Sequence, residues 1–325
     1  MKIKDIIKSK LNGTEQGREI IFQIKKLTNR LPKPDMTFPE LINIETVSSC
    51  NLSCVHCPPH MKKFKTEVRK FGIMELNLFY KLMNEIDKHG TRRIALHKDG
   101  EPLLHPKIIE ILERVKRNNN HIVYVTTNAH KLTEEISKQL LKNKIDVVNF
   151  SIGAATKEFY EKVRGKNFDK VIKNILKFLE LRKISNWKPR VLVQIINLPQ
   201  YQEMEHEIKL FKKYWNNYDV EIQAWENLTW GVFEYKDADK KRYPCYSLWE
   251  SMVVNSDGIV SACCMDWKQQ LITGNAIEQN LEEIWKDEKL RNLRRMHIDG
   301  KENEIPACAT CNYWLWQTRL DKYPL

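Results

Sequence analysis

Beyond residue 40 the chain settles into an alternation of two patterns. Short apolar runs rich in Val and Ile read as strands buried on both faces. Longer stretches with apolar positions three and four apart read as amphipathic helices. The strand-like runs cover residues 41–47, 92–98, 121–128, 146–153, 190–197 and 219–226. Helical periods fill the intervals at 72–90, 106–118, 132–143, 167–183 and 203–215. Gly90 closes the first helix, Pro106 opens the second, and Thr133 stands at the N-cap of the third. Strands and helices alternating at this spacing build parallel βαβ units. Six units are two short of a closed eight-fold barrel, so the pattern fits an open (β/α)6 TIM-like barrel or a doubly wound sheet. Both folds gather their functional residues at the C-terminal ends of the strands.

The flanks differ. Residues 1–31 read as an amphipathic helical lead, followed by the proline-broken connector "NRLPKPDMTFPE". The expected divisions are a lead and linker over 1–38, an α/β core over 39–235, and a small C-terminal unit over 236–325. In that last unit two short strands flank an Asp257-Gly258 turn, and a helix is expected within 280–296. So little regular structure calls for a metal to hold it.

Composition narrows the class. No apolar run approaches the ~18–20 residues of a membrane span, and the basic N-terminus lacks a signal peptide's apolar stretch. The expected location is the cytoplasm, with no membrane partner. That compartment is reducing, so the eight cysteines point to metal or redox use rather than disulfides. They are also clustered: Cys50, Cys54 and Cys57, then Cys245, Cys263, Cys264, Cys308 and Cys311. The net charge of +12 is mostly lysine spread over polar helix faces. It reads as a solvated surface or as attraction for an anionic partner. No arginine-rich arm or recognition helix supports nucleic-acid binding, and none is expected. A zinc-stabilised nucleic-acid binder is the alternative from outside the redox class.

"SSCNLSCVHC", residues 48–57, places Cys50, Cys54 and Cys57 directly after the first strand. Three thiolates can hold three irons of a cubane and leave the fourth open to a substrate or cofactor. A zinc site with a distant fourth ligand fits the same trio.

This Cys-x3-Cys-x2-Cys loop at the head of a partial barrel resembles the radical S-adenosylmethionine (radical SAM) superfamily. The resemblance covers about residues 41–226. It implies a [4Fe–4S] cluster on Cys50, Cys54 and Cys57, with S-adenosylmethionine on the open iron. Reductive cleavage then yields a 5′-deoxyadenosyl radical that abstracts a hydrogen atom from substrate. His56 occupies a position that is usually aromatic in the family. "KDGEPLLHP" resembles the Gly-Gly-Glu-Pro loop that hydrogen-bonds the S-adenosylmethionine amino group, through Gly100, Glu101 and Pro102; Asp99 replaces the first glycine. "VTTNA" resembles a Thr-Asn-Gly segment, with Asn128 conforming and Ala129 replacing glycine. "FSIG…YEKVRG" resembles the segment that would place Ser151 at the ribose and Arg164 at the carboxylate.

The C-terminal cysteines resemble the SPASM/Twitch extension of the same superfamily. Cys245 is followed by twelve residues, Gly258, four residues and Cys263, with Cys308 and Cys311 far downstream. Cys245, Cys263, Cys308 and Cys311 would fully ligate one auxiliary [4Fe–4S] cluster; zinc suits the four sulfurs equally. Cys264 is then the spare, either buried packing or a hydrogen-atom donor. The resemblance implies an oxidoreductase acting on a small polar substrate (sugar, cyclitol or nucleotide-linked), with the auxiliary cluster accepting the electron. Peptide modification, by epimerisation or crosslinking, is the alternative. An electron donor such as flavodoxin or ferredoxin is the expected protein partner. Gln194, Asn197 and Trp225 at the ends of strands five and six are candidate substrate contacts, and Glu226 is a candidate base.

Overall fold

The structure, a computed structural model, describes residues 38–61, 64, 70–118, 121–226, 242 and 244–314. The helical lead expected over 1–31 lies outside the described residues. Among the described residues nine strands form one open sheet in the order β6-β5-β4-β3-β2-β1-β7-β8-β9. β1 (Leu41–Ile44), β2 (Arg93–Ala95), β3 (Ile122–Thr127), β4 (Val147–Ser151), β5 (Arg190–Asn197) and β6 (Glu221–Glu226) are parallel neighbours in chain order. Between them lie α1 (Leu76–Ile86), α2 (Ile108–Val115), α3 (Glu134–Lys142), α4 (Lys157–Val163), α5 (Phe168–Ile184) and α6 (Met204–Trp215).

The strand order chooses between the two folds the sequence allows. A doubly wound sheet reverses direction part-way, whereas here each parallel strand is laid beyond the last. Right-handed crossovers then put every helix on one face. The pleat sorts the side chains accordingly. Ile42, Ile44, Ile94, Leu96, Val123, Val125, Val148, Phe150, Val191, Val193 and Ile195 all join the buried core, with Phe150 edge-on to Phe178 of α5. The intervening positions belong to the opposite face, which is the interior of a partial barrel.

Several elements differ from the sequence reading. α4 begins at Thr156, whose hydroxyl accepts from Phe159 N and donates to Glu207 of α6. The helix expected over 280–296 is two, α8 (Leu281–Trp285) and α9 (Glu288–Ile298), because Asp287 caps the second by accepting from Lys289 N at 2.8 Å.

The C-terminal part is laid into the same sheet. After α7 (Ser247–Glu250), β7 (Ser251–Val254) runs parallel to β1, pairing Leu41 with Ser251 and Ile44 with Val254. β8 (Ile259–Ser261) and β9 (Ile272–Asn275) follow antiparallel. The turn between β7 and β8 falls at Asp257-Gly258 as expected, with Gly258 at φ 85°. β9 hides in the sequence because Gly274 breaks its β-branched run; a Cβ there would lie 2.6 Å from Ile284 of α8. Among the described residues no helix is long and apolar enough to cross a membrane.

One buried carboxylate ties the two parts together. Glu45, fully buried, accepts from Asp99 N and from Ser256 N, each at 3.1 Å. Lys81 of α1 adds bonds to the carbonyls of Ala276 at 2.5 Å and Gln279 at 3.0 Å. Replacing Glu45 by Ala strands two backbone donors and is expected to cost about 2–4 kcal/mol in urea denaturation. A loss below about 0.5 kcal/mol would show that the carboxylate does not join the two parts.

Candidate cofactor and active site

The loops after β1, β2 and β3 are bound into one body. Gly100 crosses so close behind the chain leaving β1 that a Cβ would lie 2.1 Å from Val47 O and 2.6 Å from Ser49 O. Only glycine fits that approach. Glu101 N then donates to Ser49 O at 3.0 Å. The Glu101 carboxylate, almost wholly buried, accepts from Thr127 Oγ1 at 2.7 Å, Asn128 N at 2.7 Å and Leu103 N at 3.0 Å. Burial pushes its pKa up, against those three hydrogen bonds. Asn128 turns its amide toward the cysteine loop, donating to Asn51 Oδ1 at 2.9 Å and approaching Cys50 Sγ at 3.7 Å. At Asp99, Lys98 Nζ pairs with the carboxylate at 2.8 Å and His60 Nε2 donates to the carbonyl at 2.8 Å.

Beside this body, Arg164 lies across the end of β4. It donates to Ser151 Oγ at 3.1 Å. Gly153, at φ 78°, makes room; a Cβ there would be 2.8 Å from Arg164 Cδ. The guanidinium is buried and its Nε has no hydrogen-bond partner. His56 Nδ1 is likewise buried and unpartnered. Burial, with the Arg164 charge beside it, lowers the His56 pKa to about 3, so the ring is neutral.

The strand pleat separates the predicted substrate residues. Counting from Ser151, the interior face carries Asn149, Gln194, Gln223 and Trp225. Asn149 Nδ2 donates to Gln194 Oε1 at 2.9 Å and reaches Thr126 Oγ1 at 3.5 Å, while Trp225 Nε1 donates to Gln223 Oε1 at 3.0 Å. Asn197, half-buried, and Glu226, exposed, fall on the other parity and are hydrogen-bonded to each other, Asn197 Nδ2 donating to Glu226 Oε2 at 2.9 Å. Sequence reasoning missed Asn149, Thr126 and His97. All three follow from extending the period-two count back from Ser151 and across to the neighbouring strands. Asn149 Oδ1 and His97 Nδ1 are buried without partners, and burial lowers the His97 pKa to about 4.

The five remaining cysteines are all free thiols. Met265 N donates to Cys263 Sγ at 3.4 Å and Tyr313 N to Cys311 Sγ at 3.3 Å. Arg242 Nη1 holds the turn carrying the last pair, donating to Cys308 O at 2.8 Å and Ala309 O at 3.0 Å. Cys264 looks the other way in charge: its pKa is lowered, first by the Cys263 thiol and then by the Tyr313 hydroxyl. Lys98 Nζ also donates to Asp266 O at 3.0 Å, so the cofactor loop and the Cys263-Cys264 turn are directly joined.

The residues fit an iron–sulfur cluster and S-adenosylmethionine. Burial pushes the Cys50 thiol up to about 12 and Cys57 well above its ordinary value. Such thiols ionise readily only against a cationic centre, which a cluster provides. Among the described residues no three His, Cys, Asp or Glu side chains converge on a single-ion site. A cubane asks for wider spacing, because each thiolate meets a different iron. The unpartnered Arg164 Nε suits a carboxylate.

Known proteins agree with this geometry. The Radical SAM superfamily profile matches residues 44–214, and the SPASM iron–sulfur cluster-binding domain matches 245–312. The chain is 26% identical over 284 residues to the S-adenosyl-L-methionine-dependent 2-deoxy-scyllo-inosamine dehydrogenase of Niallia circulans, covering 84% of this chain and 92% of that one. It is 29% identical over 137 residues to the GTP 3′,8-cyclase of Clostridium acetobutylicum, covering 42% and 41%. Among solved structures, BtrN in complex with AdoMet and 2-DOIA superposes with a TM-score of 0.59 at 20% identity, covering 86% of this chain and 94% of that one. Native anSMEcpe with bound AdoMet gives 0.63 at 17%, covering 87% and 92%. Those two likenesses concern the fold. With more than half of its length inside the superfamily profile, the chain belongs to the radical SAM superfamily and ends in a SPASM iron–sulfur domain.

Proposed function

We propose that the enzyme removes a hydrogen atom from a small hydroxylated ring of the sugar or cyclitol class, free of phosphate and carboxylate groups, and oxidises it. The observation that carries this reading is the interior row beneath Ser151. Thr126, Asn149, Gln194 and His97 offer amide, hydroxyl and neutral imidazole groups, and two buried polar atoms there await partners. Such a lining hydrogen-bonds hydroxyl groups and holds no unpaired charge against a phosphate or carboxylate. The similarity to a cyclitol-amine dehydrogenase over most of both chains supports the same class.

Cys50, Cys54 and Cys57 would hold the cluster, while Arg164, Ser151 and the Gly100–Pro102 loop would hold S-adenosylmethionine. When bound, that pair supplies a 5′-deoxyadenosyl radical able to take a hydrogen atom from carbon. Oxidising a carbinol to a ketone then requires loss of one proton and one electron. His97 Nδ1, buried without a partner, would accept a hydroxyl hydrogen bond, whereas Glu226 is exposed and bonded to Asn197. Cys245, Cys263, Cys308 and Cys311 would hold the electron-accepting cluster. Cys263 is preferred to Cys264 because it shares with Cys311 a backbone N–H bond from two residues on. The bond from Lys98 to Asp266 O, two residues after Cys264, supports an auxiliary site near the loop after β2. A peptide substrate is the competing reading, resting on fold likeness to native anSMEcpe with bound AdoMet and Cp18Cys peptide, at 17% identity.

Anaerobic reconstitution should give about eight irons per chain, falling to about four in Cys50→Ala with loss of 5′-deoxyadenosine formation. A zinc-loaded protein, or wild-type 5′-deoxyadenosine output from Cys50→Ala, would contradict the assignment. Carbon-deuterated scyllo-inositol and 2-deoxy-scyllo-inosamine are expected to pass deuterium into 5′-deoxyadenosine. Asn149→Leu and Gln194→Leu should each lower that transfer at least about tenfold by stranding substrate hydroxyls. Transfer from a peptide alone, or wild-type transfer in both variants, would count against the ring-substrate reading.

A further inference from the structure

We propose that the buried Lys98–Asp99 ion pair is a fixed dipole that separates the reduction potentials of the two cluster sites, raising that of the auxiliary cluster relative to that of the three-thiol cluster. The inference rests on the reading that Cys50, Cys54 and Cys57 hold one cluster and Cys245, Cys263, Cys308 and Cys311 the other.

The pair stands where the two cysteine-bearing segments meet. Lys98 Nζ and Asp99 Oδ2 lie 2.8 Å apart, and each side chain is 1% exposed. Its two ends lead to different cysteines. On the anionic side, Asp99 O accepts from His60 Nε2 at 2.8 Å, and His60 N donates to Cys57 O at 3.0 Å. On the cationic side, Lys98 Nζ donates to Asp266 O at 3.0 Å, and Asp266 N donates to Cys263 O at 3.2 Å. The Asp266 carboxylate holds that turn by accepting from Gln270 N and Leu271 N, each at 2.8 Å. A run of hydrogen bonds therefore joins the turn after Cys57 to the turn after Cys263, with the ion pair at its centre.

The charges act in the same sense. Burial, then Cys54, then Asp99 push Cys57 well above its ordinary value. The Cys264 pKa is lowered first by the Cys263 thiol and next by the Tyr313 hydroxyl; of the pair's two charges, Lys98 lowers it more than Asp99 raises it. The negative end thus faces the three-thiol loop and the positive end the auxiliary turn.

A buried ion pair gains little net stability over apolar packing, but in a low-dielectric interior its charges act strongly on their neighbours. A cluster becomes more negative on reduction, so a cation beside it raises its potential and an anion lowers it. Oriented as it is, the pair makes the three-thiol cluster the stronger reductant and the auxiliary cluster the better acceptor. The proposed oxidation needs that order: one electron passes from the carbinol radical to the auxiliary cluster, the hydroxyl proton passes to His97, and a ketone forms. Lys98 and Asp99 themselves gain and lose neither electron nor proton, which makes them positioning residues.

The test is a redox titration of the reconstituted enzyme followed by electron paramagnetic resonance. The Cys50→Ala background isolates the auxiliary signal, and the signal altered by S-adenosylmethionine marks the other cluster. Lys98→Met should lower both potentials, the auxiliary one more. Asp99→Asn should raise both, the three-thiol one more. In each variant the equilibrium constant for passing an electron from the three-thiol cluster to the auxiliary cluster should fall about tenfold, which is about 59 mV of the gap. Lys98→Met/Asp99→Asn leaves no charge buried without its partner; it should narrow the gap with wild-type iron content, and it decides the matter if either single variant fails to fold. An unchanged gap in the double variant, or shifts of the same sign in the two single variants, would overturn the dipole. A wild type holding about four irons and one cluster signal would instead overturn the two-cluster reading beneath it.

Discussion

A missing side chain sets the geometry of the site. At Gly100 the backbone passes so near the carbonyls of Val47 and Ser49 that a methyl group cannot be inserted. That contact presses the loop after β2 against the chain that becomes the cysteine loop. It also delivers Glu101 to a buried position where one carboxylate collects donors from its own loop and from the loop after β3. Three loops from three strands become a single rigid shelf. The glutamate side chain is spent on the protein, so a cofactor bound at this stretch would meet backbone groups of the shelf.

The second organising constraint is the parity of the strands. A monotonic order of parallel strands sends all crossover helices to one face. Apolar residues of one parity then fill the core, and those of the other are free to be polar. Asn149, Ser151 and Gln194 occupy interior positions because an odd count would have buried them against helices. The C-terminal part extends this interior. Since β7 lies on β1 in the same sheet, the C-terminal part continues it directly, and Lys98 bonds to Asp99 and to Asp266 O at once.

Much of this was legible in the chain itself. The six parallel strands, all their connecting helices but α4, and the three-cysteine loop are visible because each rests on local periodicity or spacing. What was hidden depended on partners distant in sequence. β9 is disguised by Gly274, whose reason is the close approach of Ile284. The single helix expected near 290 divides because Asp287 can serve as a cap. His97 looked like an unremarkable strand end, and its unpartnered nitrogen emerges only when three neighbouring strands are assembled. Glu226 and Gln194 looked equivalent at the ends of adjacent strands; parity along the pleat, fixed by the register of β5 on β6, places them on opposite faces.

The central claim is that three thiols hold a cluster and leave one iron for S-adenosylmethionine. Electron–nuclear double resonance on the reduced enzyme, with S-adenosylmethionine labelled by 17O in its carboxylate and 15N in its amine, addresses that iron directly. The account predicts hyperfine coupling from both labels to the cluster spin. A cluster signal that appears without either coupling would contradict it.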